Sequence, residues 1–318
     1  MIISTERGKG RFDVRVKLYQ LELDQSMVNC GMSYVFQLCD NSFFLIDGGY
    51  FTPGESDRLF AFLKERSENE TPVIRGWLFT HAHQDHIGCF MDFVAGHLKD
   101  VVIEKLYFNF QPIDLSLAKG DPRKKSNDLA TVREFYEILK RYCRQIPVVT
   151  LKTGDRFQIG ELSMEVLYTA DDILPLDVSF NDYSCVVRIT VGSQRILFLG
   201  DVQQEGSRRL LDHNKEKLRA EIVQVSHHGF NGASEALYQA VQAEIALFPC
   251  PDYEFEKNKN SAVNSFLREA EECYVSGRGT CELRFPYEPK SAKVFEKQFF
   301  DRTKQPFFKR LFKRLRIR

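Results

Sequence analysis

No run of apolar residues in the sequence reaches the roughly 18 that a membrane-spanning helix needs, and the opening MIISTERGKGRFDVRVKL has no apolar segment of the secretory-signal kind. Both absences lead to the expectation of a cytoplasmic protein. There is no net charge either: 44 Lys and Arg balance 44 Asp and Glu. That balance excludes an overall basic field of the kind that marks a general nucleic-acid or membrane binder, so any such preference must be local. The eight cysteines (Cys30, Cys39, Cys89, Cys143, Cys185, Cys250, Cys273, Cys281) form no C-x-x-C pair and lie mostly in apolar runs. Their placement fits reduced, buried thiols rather than a disulfide framework or a zinc ribbon. Histidine is scarce as well, seven in 318 residues, with none between 98 and 212.

Apolar residues are not scarce. A 43% hydrophobic chain of this length fills a substantial core. VRVKLYQLEL (14–23) alternates at period two, SYVFQLCDNSFFLIDGG (33–49) reads as two strands about a turn at Asp40-Asn41, and VIRGWLF (73–79) as a short buried strand. Helical spacing follows at 53–66, 87–98 and 126–145, the last placing Leu129, Val132, Tyr136, Leu139 and Cys143 on one face behind a Ser/Asn cap. Strands dominate again from 147, and helices are expected near 203–215, 233–243 and 261–271, before, between and after the strands EIVQVS and EIALFP. The pattern predicts an α/β chain with two β-rich halves and helices on the outer faces, a sandwich rather than a doubly wound sheet. Residues 1–290 form the expected domain. Residues 291–318, ending KQPFFKRLFKRLRIR, change composition and read as a basic amphipathic appendage.

Three of the seven histidines fall within THAHQDHIG (80–88), at the end of a buried strand. His81 and His83, one residue apart, can project to the same side of an extended or loop backbone. Asp85 and His86 are adjacent and point elsewhere, so this loop can feed two neighbouring metal ions. Imidazole with carboxylate suits zinc, and also manganese or iron.

With H-x-H-x-D-H reading as His81-Ala82-His83-Gln84-Asp85-His86, the sequence resembles the metallo-β-lactamase superfamily over about residues 14–287. The resemblance implies an αββα sandwich of two sheets with helices outside, and two divalent metal ions. FFLIDGG is similar to the family's early strand, whose closing aspartate, here Asp47, supports the metal loop. RILFLGD is similar to the later strand whose terminal aspartate, here Asp201, bridges both metals. VQVSHHG is similar to the segment that supplies the last histidine ligand. Neighbouring side chains there diverge, so one of the pair can bind metal while the other faces substrate. His228 is the expected ligand, and His227 the expected substrate contact or proton donor; Asp85 and His227 are the residues expected to take part in the chemistry. One departure stands out. The family's first metal takes a third histidine between the loop and the bridging aspartate, and this chain has none there. The nearest substitutes lie in FNDYS, Asp182 first and Asn181 second, which makes manganese a rival to zinc. His97 and His213 are expected at the surface or at helix ends.

THAHQDHIG, NDYSCVVRITVGSQRILFLGD and VSHHGFNGAS together look most like the metallo-β-lactamase-like domain of the bacterial DNA-uptake channel protein, a branch associated with phosphodiester chemistry. A metal pair lowers the pKa of a bridging water and supplies hydroxide near neutral pH, with a phosphodiester as the expected substrate. Fold alone does not exclude a carboxyl ester, thioester or lactone, nor a non-catalytic metal-binding regulatory module. The segments 111–128 and 169–182 are expected to shape the substrate pocket. The first contains DPRKK, three cations that suit either a phosphate or a solvated loop; the second is acidic. Read as a helix after Pro306, the tail pairs Phe307, Leu311 and Leu315 with flanking cations, a pattern suited to an anionic membrane surface or to nucleic acid. The tail thus suggests a cytoplasmic protein peripheral to the membrane.

Overall fold

The structure, a computed structural model, describes residues 16–22, 31–110, 122–172, 179–258, 261 and 270–295, with the backbone alone for 122–126. The chain first lays down β1 (Lys17–Gln20), β2 (Tyr34–Gln37), β3 (Phe43–Ile46), β4 (Val73–Leu78), β5 (Val102–Ile103), β6 (Leu106–Phe108) and β7 (Val148–Thr150). A second sheet follows from β8 (Arg156–Ile159), β9 (Leu162–Tyr168), β10 (Val186–Val191), β11 (Gln194–Phe198), β12 (Ile222–Gln224), β13 (Ile245–Phe248) and β14 (Glu272–Val275). The chain then returns to the first sheet with β15 (Cys281–Arg284) and β16 (Lys293–Val294). The first sheet runs β16-β15-β1-β2-β3-β4-β6-β7, with β5 beside β4, and the second β14-β13-β12-β11-β10-β9-β8.

Among the described residues, six α-helices cover these sheets: α1 (Glu55–Arg66), α2 (Gln84–His97), α3 (Pro122–Tyr142), α4 (Gln204–Asn214), α5 (Glu235–Val241) and α6 (Asp252–Asn258). Strand alternation accounts for the layering. In β3, Phe44 and Ile46 join the core between the sheets, while Phe43 and Leu45 join the layer under α1, α2 and α3. In β11, Ile196 and Phe198 face inward, while Leu197 lies in the layer with Leu210 of α4 and Leu237 and Val241 of α5. Runs such as FFLI and RILFL are therefore continuous in hydrophobicity because both faces of each strand are buried. The resulting layers, helix, sheet, sheet, helix, are the αββα sandwich that the resemblance implies. Cys89, Cys143, Cys185, Cys250 and Cys281 are buried thiols within these layers, whereas Cys39 and Cys273 are exposed, contrary to the expectation for the cysteines as a set.

Three sequence expectations need correction. Helix α2 begins at Gln84 rather than 87, so Asp85 and His86 stand in its first turn instead of a loop, where Asp85 complements the helix dipole. Pro122 opens α3, as its fixed φ favours, so Arg123 to Lys125 belong to the first turn of a helix. On the same helix Val132 and Cys143 are buried and Tyr136 and Leu139 partly buried on the expected face, which Phe135 joins. β16 lies beyond the boundary expected at residue 290 and pairs with β15, carrying the first sheet to Val294. The helix expected in the tail after Pro306, residues 111–121 and 173–178 of the two pocket segments, and most of the helix expected over 261–271 lie outside the described residues. Among the described residues, no helix is long and apolar enough to cross a membrane.

Candidate metal centre

The site forms where strand ends of both sheets meet. β3 ends at Ile46, and the next residue, Asp47, takes a left-handed backbone (φ 54) fully buried beside the end of β4. Its Oδ1 accepts from the Thr80 backbone N–H at 2.8 Å and its Oδ2 from the Thr80 hydroxyl at 2.7 Å. Oδ2 also accepts from His86 Nδ1 at 2.6 Å. A proton fixed on Nδ1 by this bond leaves the Nε2 lone pair directed outward, the usual way a carboxylate prepares an imidazole ligand. Asp47 therefore acts through His86 and Thr80, the residue that opens the histidine-rich segment.

Asp201 follows β11 through Gly200, whose φ of 55 and close packing on Ser184 and Thr80 leave no room for a side chain. The Asp201 N–H donates to Ser184 Oγ at 3.0 Å. From the turn after β12, His228 Nδ1 donates to the Pro249 carbonyl at 2.8 Å. Its Nε2 lies 3.0 Å from Asp85 Oδ2 and 3.3 Å from Asp201 Oδ2, and His86 Nε2 is likewise 3.3 Å from Asp201 Oδ2. His81 Nε2 and His83 Nδ1 are 2.8 Å apart, and His81 Nε2 lies 3.9 Å from Asp201 Oδ2.

These side chains form two groups, each with donor atoms within 4.8 Å of one another: Asp85, His86, Asp201 and His228, and separately His81, His83 and Asp201. Asp201 belongs to both. His86 Nε2 and Asp201 Oδ1 are buried and make no hydrogen bond among the described residues. Leaving such atoms unsatisfied costs about 1–3 kcal/mol each, and a cation between them would remove the cost. Electrostatics agree. Burial disfavours a charged His86 ring, yet the surrounding Asp201, Asp47 and Asp85 push its pKa up to about 10. Burial likewise opposes ionisation of Asp201, but His228 and His86 hold its carboxyl well below the usual range. Burial and the neighbouring His86 and His83 push His81 the other way, well below the usual imidazole value, which leaves its nitrogen free to coordinate. The pocket favours positive charge, and its mixed imidazole and carboxylate donors fit a divalent transition metal at each group.

Asp182 stands apart. Its Oδ1 accepts from the backbone N–H of Gln203 at 2.6 Å and of Gly206 at 3.0 Å, so it caps the start of α4 and belongs to neither group. Serving as a helix cap occupies the carboxylate that the sequence reading assigned to the first metal. Asn181, the second substitute, donates from Nδ2 to His227 Nε2 at 3.1 Å, while its Oδ1 is buried without a hydrogen bond among the described residues. His227 is thus beside the centre and outside both groups. Both histidines of the pair have left-handed backbones, φ 50 and 55, which turn neighbouring side chains into different surroundings. His97 stacks on Phe60 at 4.5 Å at the end of α2, and His213 closes α4, as expected of the two remaining histidines.

Sequence reasoning missed three contributors. Thr80 ties Asp47 to the loop, Phe180 stacks on His83 at 4.7 Å, and Asp128 of α3 reaches to 3.5 Å from His83 Nε2. Thr80 carried a local signal as the residue that opens THAHQDHIG, and Phe180 and Asp128 lie within the segments 169–182 and 111–128 expected to shape the pocket, without either being singled out. The others come from distant segments of the chain.

No protein-family model matches the chain. It is 34% identical over 74 residues to the uncharacterized protein YcaI of Escherichia coli, a match that spans 23% of this chain and 10% of that protein's length. Among solved structures, it is similar to the metallo-β-lactamase fold protein YhfI of Bacillus subtilis, with 14% identity, a TM-score of 0.49, and coverage of 82% of this chain and 96% of that one. It is also similar to Zn(2+)-bound PqqB of Methylobacterium extorquens, with 11% identity, a TM-score of 0.38, and coverage of 66% and 70% of the two chains.

Proposed function

We propose that the chain is a dinuclear metal-dependent hydrolase of the metallo-β-lactamase type, acting on a phosphodiester. The observation that carries this reading is the sharing of Asp201 between two groups of ligand-type side chains. His81, His83 and Asp201 would hold the first metal, and Asp85, His86, Asp201 and His228 the second; zinc is the expected ion and manganese its rival. The chemistry such a pair supplies when bound is activation of water near neutral pH and neutralisation of charge on the attacked and leaving oxygens. The chain's own residues do the positioning. Asp47 fixes the His86 tautomer, the Pro249 carbonyl fixes that of His228, and Gly200 lets the Asp201 backbone come within reach of both groups. His227 Nε2 already accepts from Asn181, and burial favours its neutral ring. These contacts favour a substrate-orienting role over proton donation.

The phosphodiester rests on the motif resemblance. A second reading, hydrolysis of a carboxyl ester, thioester or lactone, draws support from the aromatic walls: Phe180 lies on His83, and Phe230 lies 5.7 Å from His227 and 6.3 Å from His228. Bis(p-nitrophenyl) phosphate, a p-nitrophenyl ester, a thioester and a lactone, each assayed with zinc, with manganese and after chelation, separate the readings. Chelator-sensitive cleavage of the phosphodiester alone is the expected result. Cleavage of the carboxyl substrates alone moves the assignment to the second reading, and no turnover of any leaves a metal-binding module.

A further inference from the structure

The histidines of the centre share one arrangement: the nitrogen turned away from the cluster has a partner. His86 Nδ1 has Asp47 at 2.6 Å, His228 Nδ1 has the Pro249 carbonyl at 2.8 Å, and His81 Nδ1 has the Thr80 hydroxyl at 3.3 Å. For His83 the inward nitrogen is Nδ1, 2.8 Å from His81 Nε2, and the outward one is Nε2, 3.5 Å from Asp128 Oδ1. The two nitrogens of an imidazole point to opposite edges of the ring. A carboxylate at Nε2 is therefore on the far side from the cluster, placed to act on the ligand and not on the metal.

His83 is also where such a partner matters most. His81, His86 and His228 have at most 2% of their side chains exposed, whereas His83 has 23%, so packing alone fixes its ring least. Its own group supplies three side chains where the other supplies four. Phe180 stacks against its face, which restrains tilt but not rotation within the ring plane. The position of Asp128 follows from α3. Val132 and Phe135, four and seven residues further along, are buried in the layer beneath the helix, so Asp128 lies on that same face.

We propose that Asp128 is the positioning residue of the first metal site: its carboxylate accepts from His83 Nε2–H and so keeps Nδ1 deprotonated and turned toward His81 and Asp201. This carboxylate takes the part that sequence reasoning gave to a third ligand, strengthening an existing one. The inference rests on the metal-binding reading above and is independent of the substrate. Partners of this kind change metal affinity by about 10- to 100-fold.

The test uses the full-length, chelator-stripped protein, zinc alone as the probe, competition against a chromophoric chelator, and imidazole nitrogen–proton correlation spectra. Asp128→Ala is expected to weaken one of two zinc sites by about 10- to 100-fold and to abolish the Nε2–H signature of His83, with the other site unchanged. Asp128→Asn, which keeps an acceptor oxygen, should recover most of the loss, and Glu134→Ala, on the exposed side of α3, should change neither site. The inference is overturned if Asp128→Ala holds both metals as tightly as the parent with the His83 tautomer intact, or if both sites weaken equally. A parent protein that takes up no zinc overturns the metal reading itself, a distinct outcome.

Discussion

His86 illustrates what the centre demands of a single residue: one nitrogen tied to a buried carboxylate, the other facing a second carboxylate at 3.3 Å, and no freedom to turn between them. His228 is built the same way, but its neighbour is not, because the left-handed backbone at both positions sends His227 toward Asn181 instead. His228→Ala should therefore lose the second metal and at least about 100-fold in turnover, while His227→Ala keeps both metals and loses turnover alone. Elemental analysis beside kinetics on the two variants checks this, and the reverse result exchanges their roles. Most of the site was legible at this scale, since THAHQDHIG, LGD and SHHG each place ligand-type residues at a strand end, where backbones can converge. Asp182 misled because an aspartate near a turn suits a helix cap as well as a metal, and only the position of α4 decides between them. Asp128 was legible only as the end of the 111–128 segment expected at the pocket: nothing in SNDLATVREF marks it as the polar residue that meets His83.

At the scale of elements, β9 and β10 make the clearest case of charge supporting the scaffold beneath the site. Glu165 faces Arg188 across the pair at 2.6 Å, with Arg156 at 3.0 Å and Lys217 at 3.4 Å, and its side chain is only 9% exposed. Burial opposes its ionisation, but Arg156, Arg188 and Lys217 together hold the carboxyl below its ordinary range. The folded-state pKa is thus lower than the unfolded value of about 4.3. The stabilisation is complete above that value and is lost as the pH falls through the folded one. Glu165→Gln should cost about 2 kcal/mol at pH 7, and the gap between variant and parent should close as the pH drops below about 4; a gap independent of pH in denaturant melts would show packing, not charge, at work. The strands themselves were readable because β3 and β11 are apolar on both faces. The start of α2 was not, because Asp85 and His86 suit either a loop ligand or a first helical turn, and the helix won by offering Asp85 its N-terminal dipole.

For the whole molecule, the centre is the seam between the two sheets. Asp47, His81 and His83 come from the ends of β3 and β4, Asp85 and His86 from α2, and Asp201 and His228 from the ends of β11 and β12. A sequence cannot show this convergence directly, since it depends on the strand order and on the return of β15 and β16 to the first sheet, pairings set across more than 240 residues. Layer architecture was legible, because two-faced strands require helices outside; the order of strands within the layers was not. Metal content per chain tests the account most directly, measured by elemental analysis on the parent, Asp201→Asn and Asp182→Asn after purification in zinc and removal of loosely bound ions. The account predicts two metals in the parent, a loss from both sites in Asp201→Asn, and two retained in Asp182→Asn, whose amide oxygen still caps α4. A parent without bound metal, or an Asp201→Asn variant that keeps two, would contradict it.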